Sequence, residues 1–169
     1  MKTKAINEIT LQFPSRSSNE GFARTAAACF AAQMDPTLNE LEDKPAVSEA
    51  VTNVIVHAYP DSIGQVQMKI RVLPDHVLEI IVRDHGRGIP DVEKAMEPMY
   101  TTGGEERSGM GFTIMESFMD AVKVRSTPGK GTVVTLRRRV SRRMGAPVPG
   151  RGTTVSMRKK LASRLKAAK

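Results

Sequence analysis

The stretch Val77-Leu78-Glu79-Ile80-Ile81-Val82-Arg83-Asp84-His85-Gly86-Arg87-Gly88-Ile89-Pro90 decides how the rest of this 169-residue chain is read. Its first half is a nearly continuous apolar run, interrupted only by Glu79. Such a run suits a central strand buried on both faces. Its second half puts an acid, two glycines and a proline directly behind the strand. Two glycines let a backbone come close to a ligand. An aspartate at a strand end can accept a hydrogen bond from an exocyclic amine such as adenine N6. A strand-to-helix turn that simply uses Gly and Pro has the same composition, so the loop alone leaves both readings open.

Working backwards, Pro74-Asp75-His76 is a turn, and Val66, Met68, Ile70 and Val72 alternate with polar residues as a second strand. Tyr59-Pro60-Asp61 ends a helix marked by Leu38, Leu41, Val47, Val51, Val54 and Ile55. Thr37 and Glu40 form a capping-box pattern at its start, and Pro45 predicts a kink or a restart inside it. Asp35-Pro36 separates it from an earlier helix carrying Phe22, Ala26, Cys29, Phe30 and Gln33. Ser17 and Glu20 place the start of that helix near Ser18. Ile9, Leu11 and Phe13 mark a half-buried strand that Pro14 ends.

Working forwards, Asp91 caps a short helix reaching to Met99, and Pro98 to Ser108 is polar and flexible in composition. Phe112, Met115, Phe118 and Met119 mark a helix starting near Gly109. Val122–Ser126 and Thr132–Leu136 read as paired strands around Thr127-Pro128-Gly129. This order predicts an α+β two-layer sandwich, with a mixed, mostly antiparallel sheet and helices on one face.

Two further constellations accompany the Asp84 loop. Glu49, Asn53 and His57 recur at i, i+4 and i+8, so they share one helix face opposite the apolar residues. Taken alone, that triplet reads as a solvated polar face, although Asn is a poor interior helix residue. Arg107-Ser108-Gly109-Met110-Gly111-Phe112 opens the later helix with two glycines. A helix N-terminus offers free N–H groups and a positive dipole end to phosphate, and Arg107 can add a charged contact. Gly129-Lys130-Gly131-Thr132 is not a Walker A loop, because Val124 stands at the first Gly and Gly131 at the Ser/Thr position. The dinucleotide GxGxxG, the protein-kinase signature set, a hydrolase triad and zinc-ligand spacing are all missing from the sequence.

Glu49-x-x-x-Asn53, then Asp84-x-Gly86-x-Gly88, then Gly109-x-Gly111, resembles the N, G1 and G2 boxes of the GHKL ATP-binding superfamily. Three segments narrow the resemblance to the anti-sigma F factors of spore-forming bacteria. They are Ser48-Glu49-Ala50-Val51-Thr52-Asn53, Gly88-Ile89-Pro90-Asp91, and the stretch from Glu106 to Glu116 (ERSGMGFTIME). Leu11-Gln12-Phe13 and Gly21-Phe22-Ala23-Arg24 add to it, and the similarity runs from about residue 8 to 136.

The resemblance implies Mg-ATP bound between the helices and a lid over about 96–108, and hence ADP as product. Asn53 would coordinate Mg²⁺, Asp84 would recognise adenine N6, and Gly86, Gly88 and Ile89 would line the nucleotide. Thr132 would sit on the adenine side. Thr101, Arg107 and Ser108 would contact the nucleotide from the lid. Gly109, Met110, Gly111 and Phe112 would present N–H groups to the β and γ phosphates. Glu49 would be the general base on a partner's serine. Arg24 would lie on the partner-binding surface, although an exposed helix Arg reads the same way. The implied biology is a homodimeric serine-protein kinase that inhibits a sporulation sigma factor. It would phosphorylate an anti-anti-sigma antagonist, a STAS-domain protein. The alternative is a GHKL module that sequesters a partner without kinase activity.

Charge divides the chain. Residues 1–136 hold 14 basic and 18 acidic side chains, whereas residues 137–169 hold 12 basic and no acidic ones. The formal net charge of +8 therefore describes neither part. The expected division is an ATP-binding domain over 1–136 and a basic extension over 137–169. The extension reads as a solvated tail, or as an electrostatic contact to nucleic acid or RNA polymerase. Trp is absent and aromatics make up only 4% of the chain, which argues against a base-stacking surface. One cysteine excludes an intrachain disulfide, and no apolar run approaches the roughly 20 residues of a spanning helix. Met1 to Phe13 is strand-like rather than a signal peptide, so the expected compartment is the cytoplasm and no membrane is involved. A histidine kinase would need a dimerisation domain carrying a phosphoacceptor His, for which this length leaves no room.

Overall fold

The computed structural model describes residues 3–36, 44–98 and 109–141. Five strands form one sheet: β1 (Asn7–Pro14), β2 (Gln65–Leu73), β3 (Val77–Arg83), β4 (Ala121–Thr127) and β5 (Gly131–Arg139). Their order across the sheet is β1-β2-β3-β5-β4, and all four pairings are antiparallel. Among the described residues the sheet is antiparallel throughout, in keeping with the mixed, mostly antiparallel sheet expected.

Helices α1 (Ser18–Ala31), α2 (Lys44–Asn53) and α4 (Gly111–Phe118) pack together, and each also meets a strand of the sheet. The short α3 (Val92–Met96) lies against β4. The alternating residues of β2 supply Val66, Met68 and Ile70 to the core, and β3 and β5 supply Ile80, Val82, Val134 and Leu136. Opposite them, α2 buries Ala46, Val47, Ala50, Val51 and Val54, and α4 buries Met115. Because α2 spends this whole stripe on the core, Glu49 and Asn53 are left on its other side.

The strand β3 is buried for two different reasons. Leu78, Ile80 and Val82 face the helices. Glu79 faces the other way, is 2% exposed, and is paired on both sides. Arg71 Nη1 donates to Glu79 Oε1 at 2.7 Å and Arg137 Nε donates to Glu79 Oε2 at 2.6 Å. Register sets this up: Glu8 faces Arg71, Arg71 faces Glu79, and Glu79 faces Arg137 across three successive pairings. A carboxylate is tolerated at such burial only with partners of this kind. The same ladder draws Arg137–Arg139 into β5, and Val140 is buried with its N–H on the His76 carbonyl at 2.8 Å. The folded body therefore reaches Val140, beyond the expected boundary at 136.

Local signals were partly redirected. α1 starts at Ser18, but the Ser17 side chain makes no cap; the Glu20 N–H takes the Ser17 carbonyl instead, at 3.2 Å. Asp91 does cap α3, accepting the Lys94 N–H at 3.0 Å, though the helix stops at Met96 rather than Met99. Pro45 falls in the first turn of α2, where a missing N–H costs nothing. The Thr37–Glu40 pattern, Leu38 and Leu41 lie outside the described residues. After Asn53 the helix widens into a π turn over Val54–Ala58, which takes His57 out of strict phase with Glu49. Among the described residues, no helix is long and apolar enough to cross a membrane.

Candidate functional site

Helix α2 and its π-turn extension form the spine of the site. At one end, Gly111 opens α4 directly against it. A Cβ on Gly111 would stand 3.1 Å from Glu49 Oε2 and 3.3 Å from Asn53 Oδ1. The first and third motifs therefore meet, with two side-chain oxygens beside the N-terminus of α4. Phe112 is partly buried, its ring packed against the core. Met110 is exposed, and Gly109 adopts a positive φ of 63° just before the helix.

At the other end, the Ala58 carbonyl accepts the Arg87 N–H at 3.0 Å. Gly86 lies so close to that carbonyl that a Cβ would overlap its oxygen. The spine thus touches both the loop after β3 and the start of α4, roughly one turn apart.

Asp84 directly follows β3 and is only 4% exposed. Its Oδ1 accepts the Gly86 N–H at 2.9 Å and the Thr132 N–H at 3.2 Å. Burial pushes the Asp84 carboxyl above its ordinary value of 3.8, and the two backbone N–H groups oppose that shift. The loop that follows is fastened to the β4–β5 hairpin. Gly88 has φ +72° and abuts the Thr127 carbonyl, so a side chain there meets both a strained backbone and a clash. Gly129 N–H donates to the Arg87 carbonyl at 2.8 Å, and Ile89 N–H donates to Ser126 Oγ at 2.7 Å.

The arrangement offers a buried carboxylate at one end and two side-chain oxygens beside a helix N-terminus at the other. Asn53 Oδ1 is a hard, neutral oxygen, suited to Mg²⁺ that takes its remaining ligands from phosphates and water. Among the described residues no cluster of three or more His, Cys, Asp or Glu could cage a metal. A metal held through one protein oxygen and a bound polyphosphate fits that donor set.

Arg24 stands apart on α1, 44% exposed, with its Nε 3.8 Å from Glu20 Oε1. Thr101, Arg107 and Ser108 lie outside the described residues. Three contributors escaped the sequence reading. Tyr59 accepts the His85 N–H on its hydroxyl at 2.9 Å and donates to the Gln65 carbonyl at 3.1 Å. Ser126 holds Ile89. Gly131 lets β5 pass the Asp84 carbonyl, where a Cβ would overlap. Of these, only Gly131 had a sequence signal: it sits between two residues of a Gly-rich turn.

A family model for the histidine kinase-like ATPase domain matches residues 13–138. An anti-sigma F factor from Caldanaerobacter subterraneus subsp. tengcongensis is 54% identical over 138 residues, covering 80% of this chain and 96% of that protein. One from Bacillus licheniformis is 52% identical over 139 residues, covering 80% and 94% respectively. Among solved structures, the RsbU and RsbW domains of Rv1364c from Mycobacterium tuberculosis superpose with a TM-score of 0.60 at 18% identity. That match covers 81% of this chain and 33% of the other, and speaks for the fold alone. By the family model and these relatives, the chain belongs to the histidine kinase-like ATPases and, within them, to the anti-sigma F factor family.

Proposed function

We propose that this chain inhibits a sporulation sigma factor and is a serine-protein kinase for the sigma factor's anti-anti-sigma (STAS) antagonist. The supporting observation is the meeting of Glu49 and Asn53 with the first residue of α4. A nucleotide whose purine reaches Asp84 and whose phosphates reach α4 would put its γ-phosphoryl group beside both side chains. The serine oxygen of the antagonist forms the new bond to the γ-phosphorus, and the bond from that phosphorus to the β–γ bridging oxygen breaks. The serine proton passes to a Glu49 carboxylate oxygen, and ADP departs. Little covalent work falls to the protein, so its role is to position groups and to balance charge. Mg²⁺, held through Asn53, would neutralise phosphate charge. The N–H groups at Gly109–Phe112 favour the phosphate oxygens, and Arg107, Ser108 and Thr101 are proposed to add contacts to the nucleotide.

Arg24, exposed on α1, is proposed to meet the protein partners, and the chain to act as a homodimer in the cytoplasm, with partner exchange governed by ATP and ADP. The basic residues beyond the sheet are proposed to add a salt-sensitive contact to nucleic acid or RNA polymerase.

The test is mass spectrometry of the STAS partner after incubation with this protein and Mg-ATP. Phosphoserine on the partner, lost with Glu49→Ala, is the expected result. Stable complexes with no phosphoserine would point to a module that only sequesters its partners.

A further inference from the structure

Ser126 belongs to none of the three motifs, yet its hydroxyl meets three groups at the Asp84 end of the site. It accepts the Ile89 N–H at 2.7 Å, stands 2.8 Å from Thr132 Oγ1, and lies 3.2 Å from the Gly131 carbonyl oxygen. These contacts are part-buried, so water replaces them poorly.

A hydroxyl has one proton to give and two lone pairs. Ile89 occupies one lone pair of Ser126. If the Ser126 proton goes to Gly131, then Thr132 gives its own proton to Ser126 and has only a lone pair left for a ligand. If the Ser126 proton goes to Thr132 Oγ1, the Thr132 proton is left for another acceptor. The second arrangement gives up only the Gly131 bond, which at 3.2 Å is long for an O–H···O contact. The Thr132 backbone is meanwhile tied to Asp84 Oδ1 at 3.2 Å, so hydroxyl and carboxylate are held in fixed relation.

A carboxylate acceptor beside a hydroxyl donor matches the edge of a 6-aminopurine, which pairs an amino donor with a ring-nitrogen acceptor. A 6-oxopurine presents the reverse order: a carbonyl acceptor beside a ring N–H. We propose that Ser126 is a positioning residue for purine selection: by donating to Thr132 Oγ1 it fixes the hydroxyl in the orientation that turns the Thr132 proton to the purine, while Asp84 accepts. This rests on the nucleotide-site reading above and deepens it.

The experiment titrates ADP and GDP into the full chain and its Ser126→Ala, Ser126→Thr, Thr132→Val and Asp84→Asn variants. Ser126→Ala should weaken ADP about three- to tenfold, the worth of one hydrogen bond. GDP should change by less than about twofold by the same reckoning, so the preference for ADP narrows. Ser126→Thr should restore it. Thr132→Val, which leaves the Ser126–Ile89 bond intact, should narrow the preference by a similar factor. Adding Ser126→Ala to Thr132→Val should narrow it no further, as coupled groups behave. Equal weakening of both nucleotides, or an unmoved preference, overturns the proposal. If Asp84→Asn also leaves ADP affinity unchanged, the site reading falls with it. If Asp84→Asn weakens ADP as expected while Ser126→Ala moves nothing, the proposal alone is overturned.

Discussion

The two ends of the site are built differently. At the Asp84 end the loop backbone is fastened on every side: Gly86 and Arg87 lean on Ala58, Gly88 on Thr127, and the Asp84, Ser126 and Tyr59 side chains hold its N–H groups. At the α4 end, side chains face a helix terminus, with Glu49 and Asn53 beside Gly111. The first end is a buried carboxylate and a glycine loop that the sheet and the π turn hold in place. The second presents chemistry whose placement depends on how α2 and α4 pack. In the proposed reading, recognition and reaction fall to different physical means within one small domain.

If this division holds, substitutions at the two ends fail in different ways. Glu49→Ala should lower phosphoryl transfer by about 10²–10⁴-fold, the usual worth of a general base. Nucleotide affinity should be unmoved, as followed by phosphoserine formation alongside ADP titration. Retained transfer would remove Glu49 from the mechanism.

Asp84→Asn should weaken ADP by about 10–100-fold, the range for a hydrogen bond to a charged group. The same substitution has a second, opposite effect. The folded-state pKa of Asp84 is raised, so the native state binds more protons than the unfolded chain between 3.8 and the raised value. Stability therefore falls as pH rises through that window, and at neutral pH ionised Asp84 is a cost. Asp84→Asn should accordingly raise Tm at neutral pH, with the advantage fading as the pH drops below 3.8. A lower Tm at neutral pH would show that the Gly86 and Thr132 bonds outweigh desolvation.

Gly86→Ala attacks the contact through which the spine holds the glycine loop. The added methyl group overlaps the Ala58 carbonyl, and overpacking of this kind costs about 1–3 kcal/mol. Thermal unfolding should report that loss, with ADP affinity falling alongside it. An unchanged Tm would mean that the loop is not braced on the π turn.

Much of this was legible in the sequence because it was local. Strand alternation in β2, the apolar run of β3 and the glycines at 86, 88, 109 and 111 each carry their signal within a few residues. What stayed hidden depends on distant partners. Ser126 looks like an ordinary strand residue until the hairpin folds over Ile89. Tyr59 looks like a helix stop until its hydroxyl reaches His85. Arg137 to Arg139 look like the start of a basic tail, because nothing nearby reveals that buried Glu79 needs a cation from β5. The π turn after Asn53 has no compositional mark at all.

That correction sharpens the smallest prediction. Removing residues 142–169 deletes nine basic residues and spares the sheet. Tm should stay where it is, and any low-salt DNA shift should disappear. A shift that survives the deletion would place nucleic-acid contact elsewhere.

The most direct test of the divided site sets Glu49→Ala and Asp84→Asn side by side. ADP affinity and the transfer rate at saturating Mg-ATP would be measured for both. The division predicts a crossed result: Glu49→Ala keeps affinity and loses rate, whereas Asp84→Asn loses affinity and keeps most of the rate. Parallel losses of both quantities in both variants would contradict it.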